Sequence, residues 1–112
     1  MCGIAGIIKK KTSPKEIVDT VDAMVQSLIH RGPDAEGKFH DASCALGMRR
    51  LSIIDLDTGG QPIFNESNDV LVFQNGEIYN YKTLREELKQ LGHHFSTQSD
   101  TEVLVHLYEE FG

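Results

Sequence analysis

The residue with the clearest chemical consequence is the cysteine of Met1-Cys2-Gly3-Ile4-Ala5-Gly6-Ile7-Ile8, second in the chain. Removal of Met1 would make Cys2 the amino terminus and would place a thiol and an α-amine, with a reference pKa near ~8, on one residue. Such an amine takes the thiol proton directly or through a water, so nucleophile and base need no third residue. The competing reading is an ordinary processed terminus entering an edge strand. Asn75-Gly76 is likewise ambiguous, because Asn-Gly is the commonest two-residue hairpin turn and that role alone would account for it. The histidines are the usual general bases, but His30, His40, His93, His94 and His106 show no metal-ligand spacing such as H-E-x-x-H. Glu102 and His106 read as an ordinary helical i,i+4 pair, so no histidine is assigned to catalysis or to a metal.

A frame must hold these residues. Residues 3–8 read as a strand, and Ser13-Pro14-Lys15-Glu16 is a capping box with proline at the first helical position. Ile17, Val18, Val21, Met24, Val25 and Leu28 follow at helical spacing, which predicts a helix over 14–29. His30-Arg31-Gly32-Pro33-Asp34 stops it in a charged loop. Residues 36–40 and 43–54 are predicted strands of a hairpin, with Cys44 as a small buried strand residue and Arg49 and Arg50 on opposite faces. Thr58-Gly59-Gly60-Gln61-Pro62 is turn-rich, and Glu66-Ser67-Asn68-Asp69 turns into a strand over 70–73 that runs straight into Gln74-Asn75-Gly76-Glu77. Asn80 can cap a helix that carries Leu84, Leu88 and Leu91 and ends at Gly92. Ser99-Asp100-Thr101-Glu102 is a second capping box, for a last helix with Val103, Leu104, Leu107, Tyr108 and Phe111 along its buried stripe.

Composition narrows the class. The chain has 112 residues, 39% of them hydrophobic and 25% charged, which allows one small folded domain. A net charge of -6 with no long basic run excludes nucleic acid as a partner. Two cysteines make neither a disulfide framework nor a zinc site and suit a reducing compartment. No apolar run approaches the ~18 residues of a membrane span or the core of a secretion signal, so the chain is read as cytoplasmic.

Six stretches in order carry a resemblance: Cys2-Gly3-Ile4-Ala5-Gly6, His30-Arg31-Gly32-Pro33-Asp34, Arg50-Leu51-Ser52-Ile53, Gly59-Gly60-Gln61-Pro62, Asn75-Gly76-Glu77-Ile78-Tyr79-Asn80-Tyr81 and Ser99-Asp100-Thr101-Glu102. Together they resemble the glutaminase domain of glutamine-hydrolysing asparagine synthetases, a class II (type 2) glutamine amidotransferase with an N-terminal nucleophile. The resemblance implies that Cys2 attacks the side-chain amide of L-glutamine, releases ammonia and leaves a γ-glutamyl thioester for water. It implies an oxyanion held by the side-chain amide of Asn75 and the backbone N–H of Gly76. Glutamine is a zwitterion, and the resemblance assigns Arg50 to its α-carboxylate and Asp100 to its α-amine, with Glu77 and Asn75 nearby. Read from the residues alone, Arg50 could be a surface arginine and Asp100 a first-turn acid favourable to its helix.

The implied fold is α+β, the αββα sandwich of N-terminal-nucleophile hydrolases, with residues 1–112 its incomplete N-terminal portion. The resemblance implies a synthetase domain, with its ATP and Mg, C-terminal to this chain as its partner, and no phosphate-binding loop is recognisable in the chain itself. No cofactor is expected here. An unpaired sheet edge would favour self-association into a homo-oligomer. The first functional reading is an enzyme module feeding ammonia to asparagine synthesis. Its alternatives are a catalytically silent glutamine-binding or assembly fragment and an amidotransferase of the same branch with another acceptor.

Overall fold

The computed structural model describes residues 2–10, 13–51 and 60–112. The expectations for Met1, for the end of the strand over 43–54 and for Thr58-Gly59 lie outside the described residues. The chain divides into two units, Met1–Ser52 and Ile53–Gly112.

In the first unit, β1 (Gly3–Ile8), β2 (Ala35–His40) and β3 (Cys44–Arg50) form an antiparallel sheet of order β1-β3-β2, and α1 spans Pro14–Ser27. The register pairs Gly3 with Arg49, Ala5 with Gly47 and Ile7 with Ala45. Ile17, Val21 and Val25 recur every four residues along α1 and close a core with Ala45, Ala5 and Ile7. Each such side chain, fully buried, contributes roughly 1.5–3 kcal/mol. Because strand side chains alternate, Gly3, Ala5, Ala45, Gly47 and Arg49 share the α1 face, while Ile4, Met48 and Arg50 lie on the opposite one. The predicted Ser13 box is only half realised: Ser13 is the N-cap residue of α1, but its hydroxyl makes no cap hydrogen bond. The β2–β3 turn is held by Asp41, whose Oδ1 accepts from the Ser43 and Cys44 N–H groups at 2.8 Å each. Those two donors hold the Asp41 carboxyl below its ordinary value.

In the second unit, β4 (Ile63–Phe64) and β5 (Leu71–Val72) are an antiparallel pair, followed by α2 (Tyr81–Gln90), one 3₁₀ turn at Asp100–Glu102 and α3 (Val103–Phe111). The strand expected over 70–73 is shorter because Asn65 takes over its start. Asn65 Oδ1 accepts from the Asp69 and Val70 N–H groups at 3.1 Å each, and its amide donates to Asp69 Oδ1 at 2.7 Å and to Glu109. Asn80 stands at the N-cap of α2 without a side-chain cap bond, and Gly92, at φ 99°, ends it as expected.

One reading left open by the sequence and one expectation fail here for physical reasons. Asn75-Gly76 is not a hairpin turn: neither residue is among those with positive φ, and the chain after them enters α2. A type I′ turn needs positive φ at both central positions. The buried stripe of α3 also differs, since Tyr108 and Phe111 are 60% and 75% exposed whereas Val103, Val105 and His106 are buried. Polar groups occupy core spacing instead: Glu102 and His106, four apart, are 0% and 1% exposed.

A test of the first unit follows from Gly32, where an added Cβ would run into the backbone of Arg49 and Arg50. Gly32→Ala should destabilise the full-length protein by about 1–3 kcal/mol in urea denaturation, as overpacking against rigid backbone does. An unchanged midpoint would show that the 31–34 loop does not pack on β3 this closely.

Candidate functional site

In the first unit the sulfur of Cys2 lies against the backbone of one residue: the Leu51 N–H donates to Sγ at 3.4 Å, and Sγ is 3.7 Å from the Leu51 carbonyl oxygen. The Cys2 carbonyl accepts from Arg31 Nε at 3.3 Å. The loop that carries Arg31 is itself tied to β3. Pro33 bridges to Arg50, and the Asp34 N–H donates to the Arg50 carbonyl at 3.0 Å. Thiol, loop and the end of β3 therefore form one assembly, and its centre is the chain from Arg49 to Leu51.

The two arginines there part as strand alternation predicts. Arg49 spends its guanidinium on the Gly32 carbonyl at 2.9 Å, the Pro33 carbonyl at 3.3 Å and Glu36 at 3.3 Å. Arg50, on the face away from α1, is 8% exposed. Parity along β1 sends Cys2, two residues before Ile4, toward the same face as Arg50. Cys44 is half-buried, and burial pushes its thiol pKa up, so it stays protonated.

In the second unit the stretch 74–78 is held at both ends. At its start, the Gln74 N–H donates to Gln61 Oε1 at 2.7 Å and Gln61 Nε2 donates to the Gln74 carbonyl at 3.3 Å, so one side-chain amide acts as a strand neighbour. The Gln74 side chain in turn accepts from Thr101 Oγ1 at 2.9 Å. At the far end, the Ile78 N–H donates to Asp100 Oδ2 at 2.7 Å. Asn75, Gly76 and Glu77 lie between these anchors and are exposed. Asp100 is 5% exposed, placed by a 3₁₀ turn whose first N–H groups are met by Ser99 Oγ, which accepts from Thr101 N–H at 3.2 Å.

Of the six residues singled out in the sequence, the first unit holds Cys2 and Arg50 at one end of its sheet, and the second gathers Asn75, Gly76, Glu77 and Asp100 around one loop. Sequence reasoning gave no role to Arg31, Gln61, Gln74 or Thr101, which hold these two groups in place. Arg31 and Gln61 sit inside quoted motifs, and a polar side chain beside a turn glycine was the available signal. The conformation of Gly76 adds a further point. A Cβ there would meet Gln74 at an ordinary 3.4 Å, so neither φ nor internal packing demands glycine.

A family profile described as the glutamine amidotransferase domain matches residues 1–112. Glutamine-hydrolyzing asparagine synthetase 1 of Bacillus subtilis (strain 168) is 46% identical over 115 residues, which is 99% of this chain and 18% of that protein. Glutamine-hydrolyzing asparagine synthetase of Sandersonia aurantiaca is 44% identical, and synthetase 2 of Arabidopsis thaliana 45%, each over 100% of this chain. The chain spans 21% and 19% of those two proteins.

The anchoring role of Asp100 is testable apart from any chemistry. Asp100→Ala removes the acceptor of the Ile78 N–H and should cost about 1.5–3 kcal/mol in urea denaturation, whereas Asp100→Asn keeps an amide oxygen there and should cost less than half as much. Equal losses for both would show that the bond to Ile78 does not hold the loop.

Proposed function

The chain belongs to the glutamine amidotransferase domain family, and from that membership we propose that it hydrolyses glutamine to glutamate and ammonia through a Cys2 thioester. With Met1 removed, the Cys2 amine takes the thiol proton and the sulfur attacks the side-chain amide carbon. The Asn75 side-chain amide and the Gly76 N–H receive the oxyanion. The C–N bond then breaks as the ammonium returns its proton to the departing nitrogen, and water, deprotonated by the same amine, cleaves the thioester. The observation that carries this reading is the seating of the Cys2 sulfur on the Leu51 peptide, next in sequence to buried Arg50.

Arg50, buried at the end of β3 on the sheet face toward which strand parity sends Cys2, is the group proposed to hold the substrate carboxylate. Asp100 and Glu77 supply the negative charge that an α-amine requires. A loop fixed at Gln74 and Ile78 suits an oxyanion hole, whose donors work by being held in advance of the reaction.

The names of the relatives favour asparagine synthesis as the destination of the ammonia. In that reading a C-terminal synthetase domain of the parent protein, with ATP and Mg²⁺, converts aspartate to asparagine. A sheet with α1 on one face suits one αβ half of the αββα sandwich that the family membership leads us to propose. No helix among the described residues is long and apolar enough to cross a membrane.

Two substitutions in the full-length protein test the roles. Asn75→Asp removes the N–H donors and adds charge beside the oxyanion, so glutaminase kcat should fall at least ~100-fold with the melting temperature preserved. Near-normal turnover would refute the oxyanion role. Arg50→Lys keeps the charge but loses the two-point grip, so KM for glutamine should rise more than kcat falls. An unchanged KM would remove Arg50 from the carboxylate.

A further inference from the structure

Outside the residues discussed so far, the second unit gathers Glu66, His93, His106 and Glu109, with one donor atom from each lying within 4.8 Å of the others. They come from the β4–β5 turn, the segment after α2, and α3. His93 Nδ1 is 3.1 Å from both Glu66 Oε1 and Glu109 Oε2, and His106 Nδ1 is 3.2 Å from Glu66 Oε1. A tetrahedral ion with ligands at 2.0–2.1 Å sets its donors roughly 3.3 Å apart.

The far sides of the imidazoles are equally telling. His93 Nε2 contacts Glu110 Oε1 at 2.7 Å, and His106 Nε2 contacts Glu102 Oε2 at 3.0 Å. Each ring thus has a carboxylate behind it and turns Nδ1 toward the centre, the arrangement that orients metal-bound histidine. Glu109 has its own support, since its Oε1 accepts from the Asn65 amide.

Ion pairing alone leaves one atom unexplained. His106 is 1% exposed, and its Nδ1 makes no aligned hydrogen bond despite its closeness to Glu66. If Nε2–H donates to Glu102, a buried lone pair on Nδ1 faces a carboxylate oxygen, and that contact is repulsive without a cation between them. Charge points the same way: Glu66, Glu102, Glu109 and Glu110 outnumber the two imidazoles even with both protonated.

We propose that Glu66, His93, His106 and Glu109 bind one first-row divalent cation, and the two-imidazole, two-carboxylate set suits Zn²⁺. The ion joins the hairpin turn, the α2–α3 connection and α3. This site revises the expectation that none of the histidines serves a metal: its ligands converge from distant positions, so no local spacing announces it.

The test uses chelator-stripped full-length protein in a Cys2→Ser background, which removes the terminal thiol as a competing ligand, titrated with Zn²⁺ alone. Equilibrium dialysis should find one zinc per chain that His93→Gln loses, with affinity down at least ~100-fold. Glu110→Gln touches no ion and should still weaken binding by about 10–100-fold through the orientation of His93. Co²⁺ should give visible d–d bands in the parent and not in His93→Gln. A parent that binds no zinc, or His93→Gln and Glu110→Gln chains that bind it as tightly as the parent, would overturn the proposal.

Discussion

The peptide chain from Arg49 to Leu51 is gripped from several sides, and the position of the thiol depends on that grip. β1 pairs with β3 up to Arg49, the 31–34 loop bonds Arg50 through its backbone, and the Leu51 N–H meets the sulfur of Cys2. Gly32 makes the approach sterically allowed, because any side chain there would enter the β3 backbone. A residue at the start of a chain ordinarily frays. Here Arg31 and Leu51 restrict that freedom at Cys2, and the nucleophilic role proposed for it would gain from a thiol held in one place.

The second unit solves a similar problem with side-chain amides and carboxylates in place of strand pairing. Its hairpin strands are two residues each, too short to position a loop by themselves. Gln61 therefore supplies ladder-like bonds to Gln74, Asp100 takes the Ile78 N–H, and Asn65 closes the turn between the strands. Buried polar networks of this kind stabilise only when every member is satisfied. Among the described residues His106 Nδ1 is the buried side-chain atom left without a hydrogen bond, and for that reason the cluster around it is proposed as a cation site.

Much of this was legible in the sequence. The helix over Pro14–Ser27, the β2–β3 hairpin and the helices beginning at Tyr81 and Val103 follow from apolar periodicity and turn residues. The family membership was legible from ordered motifs. Propensity misled where tertiary contacts decided. Asn75-Gly76 has the strongest hairpin signature in the chain yet occupies a loop before a helix. Ser99-Asp100-Thr101-Glu102 reads as a capping box, but Glu102 turns its carboxylate to the Ser96 and Thr97 N–H groups at 3.0 and 2.7 Å. The stripe of α3 was read from hydrophobicity, which cannot show that glutamate and histidine fill core positions once they pair. Arg31 and Gln61 escaped because their partners are backbone atoms distant in sequence.

The central claim is that Cys2, as the free amino terminus, carries the glutamyl group. Acid-quenched full-length protein taken during glutamine turnover, digested and analysed by mass spectrometry, tests it most directly. The account predicts an N-terminal peptide that begins at Cys2 and bears a γ-glutamyl adduct on sulfur, lost on treatment with hydroxylamine. Retained Met1 in an enzyme that still releases ammonia, or a glutamyl group on any other residue, would contradict it.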